Sequence, residues 1–181
     1  MKITKSKFPQ SSVLKATDYD YFDSFKTIVN DSENTINSTH VAKAFMSSAP
    51  DWVGGLFSFR NKIVGVFGLK TGPQITNKEE ALNNFEGKPG ESLGFFKVFE
   101  KTENEIILGE DDSHLDFRVS LLLEPDTDLT KVLTITTTVK FKNAFGRIYF
   151  FPVKPFHRLI VPVMLKGIAK EMNKNIVLSD F

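Results

Sequence analysis

Two stretches in the C-terminal half decide the predicted fold: Leu115–Leu123, with the sequence LDFRVSLLL, and Leu133–Phe141, with the sequence LTITTTVKF. In the first stretch every odd-numbered residue is apolar. In the second, one parity carries the apolar residues and the other the polar ones: Leu133, Ile135, Val139 and Phe141 against Thr134, Thr136, Thr138 and Lys140. Because successive side chains of a strand point to opposite faces, this alternation predicts an antiparallel meander with one buried and one solvated face.

Further strands are predicted on the N-terminal side of these two stretches. The ranges Ser92–Lys101 and Glu105–Glu110 have strand composition and flank a short polar turn, which favours a hairpin. Aromatic and β-branched residues dominate Asp18–Val29, and this composition predicts a strand ahead of the first helix. A turn is expected at Pro125–Asp128, between the two long strands.

Two short helices are predicted between the first strand and the hairpin. The first runs from Ser38 to Ser48, with Ser38 or Thr39 as its N-cap. The second begins near Pro50 and has apolar residues at steps of three and four: Trp52, Leu56, Phe59, Ile63, Val66 and Phe67. The irregular range Leu69–Gly90 follows, with a further short helix at Lys78–Asn84, and it predicts either a lid or a simple connection.

A long apolar helix is predicted at the C-terminus, from Lys154-Pro155 to about Asn173. Apolar residues cover more than half of its circumference, and Pro162 is expected to kink it because proline lacks a backbone donor. The preceding range, Asn143–Val153, is apolar and has a pattern typical of neither a helix nor a strand.

This order of elements predicts an α+β fold in which the terminal helix covers the apolar face of a curved antiparallel sheet. We expect a single domain over residues 1–181, with residues 1–16 as a loosely ordered lead-in. The 18 phenylalanines predict either a bulky packed core or an apolar cavity between sheet and helix. Both are open to Phe because its side chain has no polar atom that needs a partner.

Composition excludes several classes of function. The 23 Lys and Arg nearly balance 22 Asp and Glu, so no basic excess favours a nucleic-acid partner. The absence of cysteine excludes disulfides and thiolate metal sites. Without a signal-peptide pattern or a run of about 20 apolar residues, we expect a cytoplasmic protein with no transmembrane segment. Neither a metal site nor a cofactor motif is predicted, since the acidic run Glu110–Asp112 lacks the spacing of a calcium loop.

Three stretches carry a resemblance to a known family: Leu108–Leu123, Gly146–Lys170, and the segment from Asp51 to Lys70. Together they resemble the uncharacterised bacterial domain-of-unknown-function family 2867. That resemblance implies a START-like or Bet v 1-like (SRPBCC) helix-grip fold, with two short N-terminal helices and a cavity between the curved sheet and the last helix. It also implies six strands after the helices, whereas the alternation of apolar and polar residues predicts only four or five strands there. The family brings no known activity.

Candidate catalytic residues are His114, Asp116 and Arg118, which share the polar parity of one predicted strand. Residues two apart on a strand lie about 6.5–7 Å from each other, so Asp116 could orient His114 as a base or pair with Arg118. Because the opposite parity is apolar, we expect all three on the solvated face. A surface charge ladder, a polar binding edge and a catalytic group remain the alternatives.

A second polar pair, His157 and Arg158, lies at the predicted start of the last helix. The helix dipole disfavours a cation in the first turn. We therefore expect either a carboxylate partner for His157 or contacts of both residues with the Asn143–Phe151 segment.

We predict that a small hydrophobic or amphipathic ligand binds between sheet and C-terminal helix. The predicted ligand-binding residues are Trp52, Phe95, Phe117, Phe141, Phe156, His157, Arg158, Ile160 and Met164. Two alternatives stay open: an enzyme of the cyclase, isomerase or hydrolase type acting on an apolar substrate in the same cavity, and a packed structural or interaction domain without a cavity.

Overall fold

The fold consists of seven strands and three helices in a computed structural model that describes residues 1–15, 18–48 and 78–177, with backbone alone after 173. The predicted second helix, with Trp52, lies outside the described residues. The elements are β1 Thr4–Lys5, β2 Tyr21–Asn30, α1 Ser38–Ser47, α2 Lys78–Asn84, β3 Ser92–Leu93, β4 Phe96–Lys101, β5 Glu105–Asp111, β6 Leu115–Thr127, β7 Thr130–Phe141 and α3 Ala144–Val177.

All seven strands belong to one curved antiparallel sheet in the order β1-β2-β7-β6-β5-β4-β3. The predicted α+β class, meander and covering C-terminal helix are confirmed, and five strands follow the helices in the described part of the chain. The turn between β6 and β7 falls two residues later than predicted. Pro125 lies within β6 beside a register shift between Pro125 and Thr127, a position where the missing proline donor breaks no regular ladder.

The inner face of the sheet, which packs against α1 and α3, carries the odd-numbered residues of β2, β6 and β7. Its main core joins side chains such as Val29, Leu121, Ile135, Leu165 and Ile168. A separate minor cluster lies beside the first half of α3 and consists of Tyr21, Leu115, Val139 and Phe150. The prediction that the odd-numbered residues of these strands face the C-terminal helix is therefore confirmed.

The outer face differs from the prediction of a solvated surface. Thr134, Thr136 and Thr138 are all buried there. The N-terminal segment crosses this face: Phe8 contacts Phe22 of β2, and residues 11–13 reach β5 and β6. Sequence patterning missed this cover because Ser12 and Val13 lie about 90 positions before Glu105 of β5, which both contact.

Helix α1 begins after Asn37, one residue earlier than the predicted cap. The Asn37 side chain accepts hydrogen bonds from the amides of Thr39 and His40, both at 3.1 Å. His40 Nδ1 accepts in turn from the Asn37 amide at 3.3 Å, which completes a reciprocal cap. The polar Ser38 that follows is buried and donates to the carbonyl of Thr102 at 2.5 Å.

Helix α3 is longer than predicted, because the ambiguous range before Pro155 is helical as well. The Asn143 side chain accepts from the amide of Gly146 at 3.0 Å and caps the first turn. The helix continues through Pro152, Pro155 and Pro162. The carbonyls that lose a donor to these prolines belong to the exposed residues Ile148, Phe151 and Arg158, where water can replace the missing donor.

Two glycines bring α3 into close contact with its neighbours. A Cβ atom at Gly146 would lie 2.1 Å from the carbonyl oxygen of His114, and one at Gly167 would lie 2.8 Å from Cβ of Ser48 at the end of α1. The helix is therefore held against the turn before β6 near one end and against the end of α1 near the other.

Candidate functional site

A buried carboxylate, Asp23, interrupts the apolar inner face of β2. Its side chain is only 2% exposed. One oxygen, Oδ2, accepts a hydrogen bond from the Tyr21 hydroxyl at 2.5 Å and lies 3.0 Å from His157 Nδ1 on α3. An aspartate that holds Nδ1 of a histidine fixes the ring and directs Nε2 away from itself. Asp23 and His157 therefore form an oriented acid–imidazole pair.

The residue directly across from Asp23 on β7 is Thr137, which is also buried. Asp23 Oδ1 and Thr137 Oγ1 both lack a hydrogen-bond partner within the described chain. A buried polar atom without a partner costs about 1–3 kcal/mol of stability. Native structures tolerate few such atoms, and these two mark a polar position in the otherwise apolar interface between the two strands and α3.

This polar site lies at the boundary between the two apolar clusters on all three elements. On β2, Asp23 separates Tyr21 of the minor cluster from Phe25, which packs against the main core. Thr137 holds the same position on β7, between Val139 and Ile135. His157 does so on α3. Its side chain is partly exposed, so the site reaches the surface there.

The Tyr21 hydroxyl is shielded from water and faces a negative group. Burial, together with the hydrogen bond and charge of Asp23, raises the pKa of Tyr21 to about 12, and the nearby Arg158 guanidinium offsets only part of this rise. Above the ring, Lys154 Nζ lies 5.2 Å from the centroid. The phenol therefore stays neutral at ordinary pH and remains a donor to Asp23.

The structure brings most of the predicted ligand-binding residues to the sheet–helix interface. Phe117 stacks on Phe95 with ring centroids 5.5 Å apart and packs against both clusters. Phe141 contacts Phe150 at 5.6 Å and lines a surface depression of about 210 Å³. Ile160 and Met164 lie on the side of α3 that faces the main core.

Two predicted residues lie elsewhere. Phe156 is half exposed and points away from the sheet, because one residue along a helix turns the side chain by about 100° from His157. Arg158 is exposed at the surface beside Tyr21. Trp52 lies outside the described residues. His157 is well inside α3 rather than in its first turn, so its carboxylate partner compensates no unfavourable dipole.

The three candidate catalytic residues, His114, Asp116 and Arg118, are not brought together. Arg118 pairs with Asp111 at 2.6 Å and stacks over the Phe99 ring at 3.5 Å. Burial of Asp111 raises its pKa, but the hydrogen bond and charge of Arg118 outweigh this and leave the pKa below its usual value. Asp116 instead pairs with Lys142 at 2.6 Å.

His114 differs most from the expected solvated position. It is buried in the turn before β6, and its ring contacts the rings of Phe145 and Tyr149 at 5.4 and 4.9 Å. It also lies 3.5 Å from Asp112. Its aromatic contacts anchor the first turns of α3, a structural role that strand parity did not indicate.

Sequence reasoning missed Asp23 and Thr137. The available signal was a polar residue among apolar ones on the same side of a strand. Asp23 lies between Tyr21 and Phe25 in this sense, and Thr137 lies between Ile135 and Val139. Their connection to His157 had no local signal, because 134 residues separate Asp23 from His157. In the described part of the chain, no three His, Asp or Glu side chains come close enough to hold a metal ion.

The fold and site define a sheet-and-helix α+β protein with an oriented Asp–His pair buried at the interface of the two layers. The chain belongs to the family described as protein of unknown function (DUF2867), whose sequence model matches residues 15–164. The matched range contains Asp23, Thr137 and His157. No curated protein matches the sequence.

Proposed function

We propose that the protein binds a small amphipathic molecule between the inner face of the sheet and the first half of α3. The observation that carries the proposal is the pair of unpartnered buried oxygens, Asp23 Oδ1 and Thr137 Oγ1. A ligand hydroxyl or amine would donate a hydrogen bond to Asp23 Oδ1. The same polar group would form a second hydrogen bond with Thr137 Oγ1. Its apolar body would lie against Phe117 and the minor cluster, which flank the two oxygens.

The arrangement of elements supports a helix-grip fold of the START-like type. In that fold a long C-terminal helix closes a curved antiparallel sheet, and ligands bind between them. Here β2 pairs with β7, the last strand, and the remaining strands follow in reverse chain order, as that arrangement requires. Few polar groups on an apolar wall are typical of small-molecule sites, where they fix the orientation of the ligand.

Melting curves with decanol, decylamine and decanoate test the proposal, because these ligands share a chain length and differ in the polar head. We expect decanol or decylamine to raise the melting temperature and decanoate to raise it less, since its negative head would face Asp23. A ligand at 100 times its Kd adds about 2.7 kcal/mol, or roughly 5–11 °C for a domain of this size.

The variant T137V should abolish the ligand-induced shift while it leaves the fold intact, because valine has the shape of threonine without the hydroxyl. T136V, whose side chain lies on the outer face, is the matched control and should keep the shift. If no ligand raises the melting temperature of the native protein, or if T137V responds as the native protein does, the proposal fails.

A second candidate, an enzyme at the same site, is favoured by the Asp23–His157 hydrogen bond of 3.0 Å. With Nδ1 donating to the carboxylate, Nε2 carries a lone pair and can accept a proton from a substrate or from water. The partly exposed His157 side chain gives a substrate access to this nitrogen. Proton abstraction in an isomerase and activation of water in a hydrolase are the two reaction classes that such a base serves.

Turnover separates the two candidates once a ligand is found. The variant H157Q keeps a hydrogen-bonding side chain near Asp23 but removes the imidazole base. If the protein is an enzyme, H157Q loses turnover and still binds the ligand. If the native protein returns the ligand chemically unchanged, the site is a binding site alone.

A further inference from the structure

The outward side of α3 carries an apolar stripe that faces solvent. Large side chains are exposed there, including Ile148 at 71%, Phe151 at 81% and Leu159 at 65%. We call this surface the outer stripe: Ile148, Phe151, Pro155, Phe156, Leu159 and Val163. Steps of three and four residues place these side chains on one side of a helix. A continuous exposed apolar surface of this kind marks a site of interaction.

The packing of the inward side of the same helix argues against a membrane-spanning role in this fold. Ala144–Asn173 is long and apolar enough to cross a membrane by length and composition, which the sequence analysis did not anticipate. However, Phe150, Val161 and Leu165 pack into the two clusters on the sheet. Insertion across a bilayer would remove these side chains from the core. The helix can therefore offer only its outward side to a partner.

Charge indicates which partner fits the outer stripe. No Asp or Glu occurs from Ala144 to Lys170, whereas the basic residues there are Arg147, Lys154, Arg158, Lys166 and Lys170. The whole chain has a net charge of only +1, so positive charge is concentrated on this helix. A second copy of the chain would bring two basic helices together, which like-charge repulsion opposes. An anionic surface is complementary.

We propose that α3 docks flat on an anionic lipid bilayer through the outer stripe. Interfacial helices of this composition place their apolar side roughly 5–10 Å into the boundary between headgroups and acyl chains. The lysines and arginines along the helix contact the negative headgroups. The sheet remains on the water side of α3, so docking leaves the core in place and does not depend on a ligand at Asp23.

Sedimentation with lipid vesicles tests the proposal on the full chain. We expect binding to vesicles of phosphatidylcholine mixed with phosphatidylglycerol and much weaker binding to phosphatidylcholine alone. Binding to the mixed vesicles should fall steeply as ionic strength rises from about 0.01 to 0.15 M, because salt screens the attraction to headgroups. Equal binding to both kinds of vesicle, or no binding to either at low salt, overturns the proposal.

Two matched pairs of variants locate the contact. The double variant F151S/L159Q should weaken binding by at least about tenfold, whereas L129Q, which alters a similarly exposed leucine in the β6–β7 turn, should not. The double variant R147Q/K166Q should weaken binding to anionic vesicles by about fivefold for each charge removed, whereas K26Q/K97Q on the sheet should have little effect.

Two further outcomes would overturn the proposal. Sedimentation velocity that shows a dimer in the native protein and a monomer in F151S/L159Q would assign the outer stripe to a second copy. Protein that resists extraction from vesicles by both high salt and alkaline carbonate would indicate a spanning helix. A monomer that leaves the vesicles in high salt is the expected result.

Discussion

The Asp23 carboxylate and the Thr137 hydroxyl belong to directly opposed residues of β2 and β7, and each keeps one oxygen without a hydrogen-bond partner in the described chain. On the other side of the same two strands, the next pair, Ser24 and Thr136, share a hydrogen bond of 2.9 Å. The two neighbouring polar pairs between β2 and β7 thus differ: the Ser24–Thr136 pair shares a hydrogen bond, whereas the Asp23–Thr137 pair keeps two oxygens without a partner. The incomplete pair faces the helix, where the proposed ligand would bind.

This contrast predicts opposite effects of the same substitution at neighbouring threonines. T137V removes an unpartnered buried hydroxyl and should stabilise the ligand-free protein by about 1 kcal/mol. T136V leaves the Ser24 hydroxyl buried without a partner and should destabilise by about 1–3 kcal/mol. Urea denaturation of both variants measures the two signs. A loss of stability in T137V comparable to that in T136V would show that the Thr137 hydroxyl is already satisfied.

The raised pKa of Tyr21 predicts a loss of stability in alkaline solution. Because the folded-state pKa is about 12 and the unfolded value is 10.0, the unfolded chain releases the phenolic proton first as pH rises. The stabilising contribution is complete below about pH 10 and is lost between pH 10 and 12. Denaturation of the native protein and of Y21F over this range should show a steeper decline for the native protein.

The same tyrosine gives a spectroscopic test. The tyrosinate absorbance of the native protein minus that of Y21F should rise with a midpoint near pH 12. A difference curve with its midpoint near pH 10 would mean that Tyr21 is neither shielded nor bonded to Asp23.

A buried glutamate, Glu105, predicts how the N-terminal segment is held to the outer face. Its carboxylate accepts from the Ser12 hydroxyl at 2.5 Å, from the Val13 amide at 2.7 Å and from the Ser120 hydroxyl. E105Q should destabilise the protein by about 2 kcal/mol, since hydrogen bonds to a charged group are the stronger kind. Hydrogen exchange at the Val13 amide should accelerate in this variant.

The exposed neighbour Glu103 provides the control for Glu105. Like E105Q, E103Q removes one negative charge near the start of β5. Because Glu103 is exposed, E103Q should change the free energy of unfolding by less than about 0.5 kcal/mol. Equal effects of E103Q and E105Q would mean that net charge, rather than the contacts of Glu105, sets the result.

The close approach of Gly146 to His114 predicts that G146A destabilises the protein by about 1–3 kcal/mol. Helix propensity alone predicts the opposite sign, a gain of about 1 kcal/mol for alanine inside a helix. The clash should decide the outcome, because the atom 2.1 Å from the new Cβ is a backbone oxygen with little freedom to move. Urea denaturation distinguishes the two signs, and a more stable G146A would contradict the contact.

Local patterns were sufficient to predict most of the fold. Alternation along β6 and β7 identified the inner face, and composition located β2 and α2 close to their observed bounds. The predicted start of α3 was wrong because the apolar range Asn143–Val153 has a pattern typical of neither a helix nor a strand, and because prolines inside a helix remove backbone donors. The exposure of Ile148, Phe151 and Arg158, which makes that loss tolerable, depends on how the helix packs.

The candidate site was predicted only in part. His157 was singled out from its local position, but Asp23 was not, because a lone polar residue in a short strand has many explanations. What distinguishes Asp23 is tertiary: β2 pairs with the last strand, and α3 returns over that pair. The burial of His114 depends in the same way on the turn of α3 beneath it.

The contacts of Gly146 and Gly167 also determine where α3 can move. The two glycines are 21 residues apart, or about 31 Å along a helix. Between them lie His157 and all three prolines, where the helical ladder lacks donors. Close packing therefore holds α3 near both ends, whereas its central span has fewer backbone hydrogen bonds. If the proposed ligand reaches Asp23, we expect the central span of α3 to move away from the sheet, while the two ends held by Gly146 and Gly167 stay in place.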